Sequence, residues 1–202
     1  MVRKLSETMQ PKRGRPKTLD AEKTLQVAMQ AYWQRDPADV SVNEICKLAG
    51  VSKPALYREF GSEDGLTLAV LDRYAEEVLS DIFAILGRSA PLPETLEALT
   101  DFAAQDPKME TGCVFYKMRA GKHRLGPKTL ARVDALQEGA VAAFAGYLEG
   151  QRAAGNWSGT APAEVAGRYL FEQIGLALMQ RASGEERAQV AATLTLAFSV
   201  LV

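Results

Sequence analysis

Few side chains in this 202-residue chain have the type and setting for chemistry. His123 is the sole histidine and stands in the Gly- and Lys-rich stretch GKHRLGPKT. No G-x-S-x-G, H-E-x-x-H, P-loop or dinucleotide fingerprint accompanies it, so it reads as a surface side chain and no catalytic residue is expected. Cys46 and Cys113 are far apart and in no C-x-x-C spacing, which disfavours a disulfide framework or a zinc site and suits a reducing compartment. Neither a metal nor a cofactor is expected. Cys113 follows Gly112 at the start of an expected helix, where the dipole lowers a thiol pKa. A redox-sensing role for it therefore stands beside the plainer reading of a core or pocket-lining thiol. The remaining chemistry is cationic. In SVNEICKLAGVSKPALYREF, residues 41–60, a short helix would offer Ser52, Lys53, Tyr57 and Arg58 on its outer face. Small Pro54 and Ala55 beside them permit close approach to base edges, as a helix entering a major groove requires.

The elements that must hold this face in place are helices. Strand-like alternation is absent, and apolar residues recur at spacings of three and four, so the chain reads as all-α with no internal repeat. Asp20 is a plausible N-cap for a first helix running to about Gln34, with Leu25, Ala28, Met29 and Tyr32 on one face. RDPADV breaks it through Pro37. Ser41 and Glu44 form an S-x-x-E capping box for a second helix, Val42 to Ala49. Gly50 supplies the positive φ that ends it, and Ser52 caps a third helix with Pro54 in its first turn. Ile45, Ala49, Val51 and Leu56 can then pack against the first helix and leave the polar face free. A fourth helix is expected from Glu63 to about Leu86, with Leu66, Val70, Tyr74, Val78 and Ile82 at intervals of four. Further helices follow at about 93–104, 113–120, 128–154, 163–183 and 185–202.

Charge is divided along the chain. Residues 1–60 hold 11 Lys/Arg against 7 Asp/Glu, whereas residues 61–202 hold 13 against 18. Residues 1–18, with Arg13, Arg15 and Lys17 among Pro, Gly and Ser/Thr, read as a flexible basic arm suited to a phosphate or minor-groove contact. No run of eighteen apolar residues and no signal-peptide h-region is present, so a cytoplasmic chain with no membrane segment is expected.

GRPKTLDAEKTLQVAMQAYWQ followed by SVNEICKLAGVSKPALYREFGSEDGLTLAVLDRY resembles the N-terminal domain of TetR-family transcriptional regulators, matching the basic arm, the first helix, the AGVSKPALYREF unit and the start of a long fourth helix. The match covers about residues 13 to 75. The resemblance implies an all-helical homodimer with an N-terminal three-helix domain carrying a helix-turn-helix and a C-terminal helical ligand-binding and dimerisation domain. It divides the chain into the arm (1–18), a DNA-binding domain (19–62) and an effector-binding and dimerisation domain (63–202). It implies that Tyr57 contacts phosphate, Lys53 and Arg58 the groove, and Ser41 and Val42 the DNA backbone. One departure stands out: where the family commonly has a phosphate-contacting lysine after FGS, this chain has Glu63 and then Asp64. Both suit the helix dipole but repel phosphate.

The expected activity is that of a ligand-responsive regulator of palindromic double-stranded operator DNA, repression being the expected mode and activation the alternative. The second reading, a thiol-based sensor, acts through Cys113. For the effector pocket, Ile82, Phe83 and Leu86 near the end of the fourth helix join Phe102, Phe115, Met118, Phe144 and Phe171. Cys113, Tyr147, Gln151 and Gln173 are the polar anchors, which suggests a mostly apolar, uncharged or weakly polar small molecule. The alternative for the apolar members is ordinary core. One helix-turn-helix reads too few base pairs to be selective, so a two-fold dimer is expected. Its interface is assigned to apolar stripes on the last two helices, Leu170, Ile174 and Leu178 with Val190, Leu194, Ala197 and Phe198, where Gly167 and Gly175 permit close approach. The alternative is that these stripes face the chain's own core.

Overall fold

The computed structural model describes residues 19–88 and 90–202. The basic arm, with Arg13, Arg15 and Lys17, lies outside them. All regular structure among the described residues is helical. Helix α1 (Ala21–Gln34) begins where the Asp20 carboxylate accepts from the Lys23 N–H at 3.0 Å. Helices α2 (Val42–Ala49) and α3 (Lys53–Phe60) start on Ser41 and Ser52, whose hydroxyls accept from the N–H groups of Glu44 and Ala55 at 3.2 and 3.3 Å. The expected reciprocal half of the capping box does not form. The Glu44 carboxylate pairs instead with Arg35, just past the end of α1, and so ties α2 to α1. Gly50 takes φ +70° between α2 and α3, a conformation costly for any residue with a Cβ, and the Val51 N–H then reaches back to Cys46 C=O at 2.9 Å. Ala28, Met29, Tyr32, Ile45 and Leu56 are buried together with Leu66 and Val70 of α4 (Glu63–Tyr74), so the three short helices share a core that the fourth completes.

The single helix expected over 63–86 is interrupted. A π-helical turn, Ala75–Leu79, separates α4 from α5 (Ser80–Leu86). A wider turn changes which residues fall on the inner face of the segment that follows. Burial passes from Val78 to Ile85, Ile82 and Leu86 are half-buried, and Phe83 is 45% exposed. The body is completed by α6 (Leu92–Ala104), α7 (Val114–Ala120), α8 (Pro127–Ala153), α9 (Ala163–Ala182) and α10 (Arg187–Phe198), with a final 3-10 turn, Ser199–Leu201. The most extensive helix pairing is α8 against α9. It is close because Gly167 lacks a side chain: a Cβ there would lie 2.7 Å from the Ala145 backbone nitrogen. Among the described residues no helix is long and apolar enough to cross a membrane.

Candidate nucleic-acid interface and ligand site

The outward face of α3 is built as the spacing predicts. Leu56 is fully buried and anchors the helix, while Ser52, Lys53, Pro54 and Arg58 are exposed and Ala55 and Tyr57 are half-buried. The Lys53 ammonium lies 5.4 Å from the centroid of the Tyr57 ring, one turn along. At the start of α2, Ser41 is exposed but Val42 is buried, so only the backbone of Val42 is available to a partner. Beside this face a cleft runs between the start of α1 and the α2–α3 turn, lined by Lys23, Lys47, Ser52 and Arg58 among others. It adds cationic side chains to the edge of the same surface.

The acidic start of α4 has a structural use. The Asp64 carboxylate accepts from the backbone N–H groups of Lys128 and Thr129, both at 3.0 Å, and from the Thr129 hydroxyl at 2.6 Å. Helix α8 starts at Pro127 with no side-chain cap from its own preceding residue, Gly126. Asp64 supplies that cap from far earlier in the chain, and joins the start of α4 to the longest helix of the body. Burial works against the charged form of Asp64, yet the hydrogen bonds from Thr129 and Lys128 outweigh it and hold the carboxyl below its ordinary range. More links tie the two regions. Arg132 pairs with Asp72 at 2.7 Å and Arg124 with Asp39 at 2.7 Å. The Trp33 indole N–H donates to Gly112 C=O at 2.9 Å, and the Lys117 ammonium donates to the Trp33 carbonyl near the end of α1.

In the body, Phe102, Cys113, Phe115, Met118, Phe144 and Phe171 are buried and Tyr147, Gln151 and Gln173 are half-buried. Phe83 does not join them and faces solvent. Phe115 stands edge-on to Phe171 with ring centroids 6.1 Å apart, and the Tyr116 hydroxyl donates to Phe171 C=O at 2.6 Å. Of the two readings of Cys113, the structure favours the plain buried thiol over the activated one. Cys113 is 2% exposed, and burial pushes its thiol up despite the backbone N–H groups of α7 and the charge of Lys117. The thiolate is the reactive form. A thiol reagent should therefore label Cys113 only as the chain unfolds; rapid labelling of the native protein would contradict this environment.

The interface residues expected on α9 and α10 are internal. Gly167, Leu170, Ile174, Gly175, Leu178, Val190, Leu194 and Phe198 are buried in the chain's own core and Ala197 is half-buried. Gly175 makes room for the Tyr116 ring and Gly167 for α8, so both close approaches are within the chain. The spacing identified an apolar stripe correctly but not its occupant. The solvent side carries a second stripe: Val165, Leu176 and Met179 on α9, and Leu196 and Val200 at the end of the chain.

The sequence profile of bacterial regulatory proteins of the tetR family matches residues 25–70, from α1 to most of α4. The chain is 37% identical over 71 residues to the HTH-type transcriptional repressor ComR of Escherichia coli K12, covering 35% of this chain and 34% of that one. It is 30% identical over 115 residues to the HTH-type transcriptional repressor BdcR of the same organism, covering 57% and 58%. The matched stretches thus span between a third and three-fifths of these relatives. Whole-chain similarity is structural. The reduced form of E. coli NemR superposes with a TM-score of 0.78 at 18% identity, over 90% of this chain and 97% of that one. A cysteine mutant of the TetR-family regulator CifR, in complex with 26-bp double-strand operator DNA, superposes with a TM-score of 0.71 at 17% identity, over 94% and 100%. The profile match thus covers residues 25–70, a tetR-family regulatory segment, and the chain as a whole has the fold of these solved structures.

Proposed function

We propose that the chain is a homodimeric transcriptional regulator, a repressor that binds a palindromic operator and is released by a small, mostly apolar effector. The observation that carries this reading is the α3 face: one fully buried anchor, Leu56, beneath an exposed Ser52, Lys53, Pro54 and Arg58 with Tyr57 at its edge. Phosphate contacts position such a helix and base-edge contacts specify the sequence. In this reading residues 1–18 are the arm, 19–62 the DNA-binding domain and 63–202 the effector-binding and dimerisation domain. The protein acts in the cytoplasm, where its DNA is, and has no catalytic step. Ser41 and the Val42 backbone meet phosphate, and Arg13, Arg15 and Lys17 enter a flanking minor groove.

Signal transfer follows from the Asp64, Asp72 and Trp33 links. A ligand that moves α8 or the α7 segment moves the reading unit with it. Two recognition helices must match a fixed groove spacing, so a small rotation of each lowers DNA affinity, and operator and effector must weaken one another by the same factor. A coupling of ~1–3 kcal/mol is typical.

Binding to DNA flanking its own gene tests the reading. Affinity should fall steeply with salt, by roughly 0.9 log units per log unit of salt for each phosphate contact. Tyr57→Phe should weaken binding by about 1 kcal/mol, or about fivefold, on every sequence. Lys53→Ala and Arg58→Ala should alter base preference as well. Deleting residues 1–17 should cost affinity mainly on A·T-rich flanks. An affinity flat in salt would overturn the DNA-binding reading, and unchanged specificity in both basic-residue variants would show that another face reads the bases.

A further inference from the structure

The body holds a group of polar side chains that its packing leaves incomplete. On α6, Thr95 lies on the face that also carries Leu92, Leu96 and Leu99; on α8, Tyr147 and Gln151 share a face with Phe144 and Leu148. The Gln151 Nε2 donates to Ala90 C=O at 3.1 Å, which fixes the amide orientation and leaves its Oε1 as a buried acceptor with no partner. The Thr95 hydroxyl, on a residue only 1% exposed, also has no partner. The Tyr147 hydroxyl reaches the same Ala90 carbonyl only at 3.5 Å and lies beside Thr95. Two helices thus bring three uncharged polar side chains together around the Ala90 carbonyl of the turn between α5 and α6. Buried polar atoms in folded proteins are satisfied by protein, by water or by a ligand. Ala90, Tyr147 and Gln151 are half-buried and stand at the outer edge of this group, with Thr95 beneath them.

The chemistry of a fitting ligand follows from these groups. The free Gln151 oxygen accepts a hydrogen bond, and the Thr95 hydroxyl can donate one. No charged side chain takes part, so a carboxylate or an ammonium brought here would lose its water without gaining a counter-charge. The neighbouring side chains are leucines and a phenylalanine that are all but fully buried. We propose that Thr95, Tyr147 and Gln151 form the head-group end of the effector site and select a neutral amphiphile, an alcohol or primary amide, which donates to Gln151 and accepts from Thr95 while its hydrocarbon tail lies among the leucines of α6. The proposal rests on the effector-regulated reading above and assigns to that site a residue, Thr95, and a head-group chemistry.

The test uses the full-length protein and five probes of one chain length: octanamide, 1-octanol, methyl octanoate, octanoate and octylamine. Binding is read by thermal shift and titration, and release by anisotropy of a labelled fragment flanking the protein's own gene. Octanamide and 1-octanol should bind at least about tenfold more tightly than the two charged probes, and Gln151→Leu and Thr95→Val should each weaken octanamide about tenfold, the scale of one lost hydrogen bond to a buried group. Methyl octanoate, which cannot donate to Gln151, should be insensitive to Gln151→Leu. The melting temperature of the ligand-free Thr95→Val variant should not fall, because that substitution removes only an unpaired hydroxyl and keeps the side-chain bulk, whereas Gln151→Leu also gives up the Nε2 bond to Ala90 C=O and is compared at its own ligand-free baseline. Equal binding of charged probes, wild-type affinity for octanamide in both variants, or no binding of either neutral probe would overturn the proposal. Octanamide that binds through both residues but leaves DNA bound would support the site and overturn effector regulation. Release of DNA by other apolar compounds that ignore both substitutions would do the reverse.

Discussion

A chain carrying Leu176→Glu and Leu196→Glu is expected to sediment as a monomer at micromolar concentration and to bind operator DNA more weakly by on the order of 10² to 10⁴, the range lost when two linked binding events become one. Leu176 is 51% exposed and Leu196 is 73% exposed; Met179 follows Leu176 by one turn on α9, and Val200 follows Leu196 in the 3-10 turn after α10. Helices whose inner stripes are already satisfied, yet which keep a second apolar stripe outside, have a surface suited to a two-fold four-helix interface. Carboxylates placed there stay solvated in the monomer and would be desolvated without counter-charges in the dimer. The monomer fold should therefore survive, with unchanged helical signal and a cooperative melt. The contrasting variant is Leu194→Glu, on the inner side at 3% exposure, which should unfold the body rather than dissociate it. A double variant that remains a dimer would show that another surface pairs.

The second large effect is expected at Asp64. Asp64→Ala removes three hydrogen bonds to a carboxylate and strips α8 of its N-terminal cap. Single caps contribute about 0.5–2 kcal/mol and bonds to charged groups about 1.5–3, so a loss of roughly 2–3 kcal/mol is expected, or about 5–10 °C in melting temperature for a chain this size. The pH dependence has a definite sign. The folded carboxyl is held below its ordinary range, so its contribution is complete above the unfolded value of about 3.9 and is lost as pH falls through the lower folded value. Asp64→Asn keeps an acceptor for Thr129 but has no such titration. The stability difference between the native chain and the Asp64→Asn variant should therefore shrink below about pH 4. A difference that stays constant down to about pH 2, well below the unfolded value, would contradict the role given to the charge. Because this cap bridges the start of α4 and α8, the Asp64→Ala variant should also release DNA less completely for the same occupancy of the body by ligand.

Several features were legible in the residues themselves because they are decided within a few positions. Asp20, Ser41 and Ser52 cap the first three helices through their own side chains, and Gly50 takes the positive φ that ends α2. Leu56 against exposed Lys53 and Arg58 follows from one helical turn. The match of these signals to a known order of elements extended the reading to the whole chain. Spacing could also find apolar stripes on α9 and α10, but periodicity is the same whether a stripe meets its own chain or a second one. The tertiary packing assigned Leu170, Leu194 and Phe198 to the core and left Leu176 and Leu196 outside.

The features that escaped the sequence depend on contacts between distant positions. A π turn at 75–79 moved Phe83 to the surface, and no residue type announces such a turn. The sequence left Cys113 open between a thiol acidified by the start of α7 and a plain buried one; burial, which no local pattern records, decided for the second. Asp64 looked like a helix-dipole carboxylate, although one signal was present: GPKT at 126–129 starts a long helix with no capping side chain of its own, so the cap had to come from elsewhere. Thr95 was equally marked, as a lone hydroxyl between Leu92 and Leu99 on an apolar face. By itself, then, the sequence determined the all-helical class, the caps of the first three helices and the exposed cationic face of α3, because short-range sterics and hydrogen bonds decide these. Which apolar face is core, which carboxylate is a cap, and which polar atoms are left unpaired were decided only by the tertiary structure, because each depends on what a different segment, far along the chain, places against it.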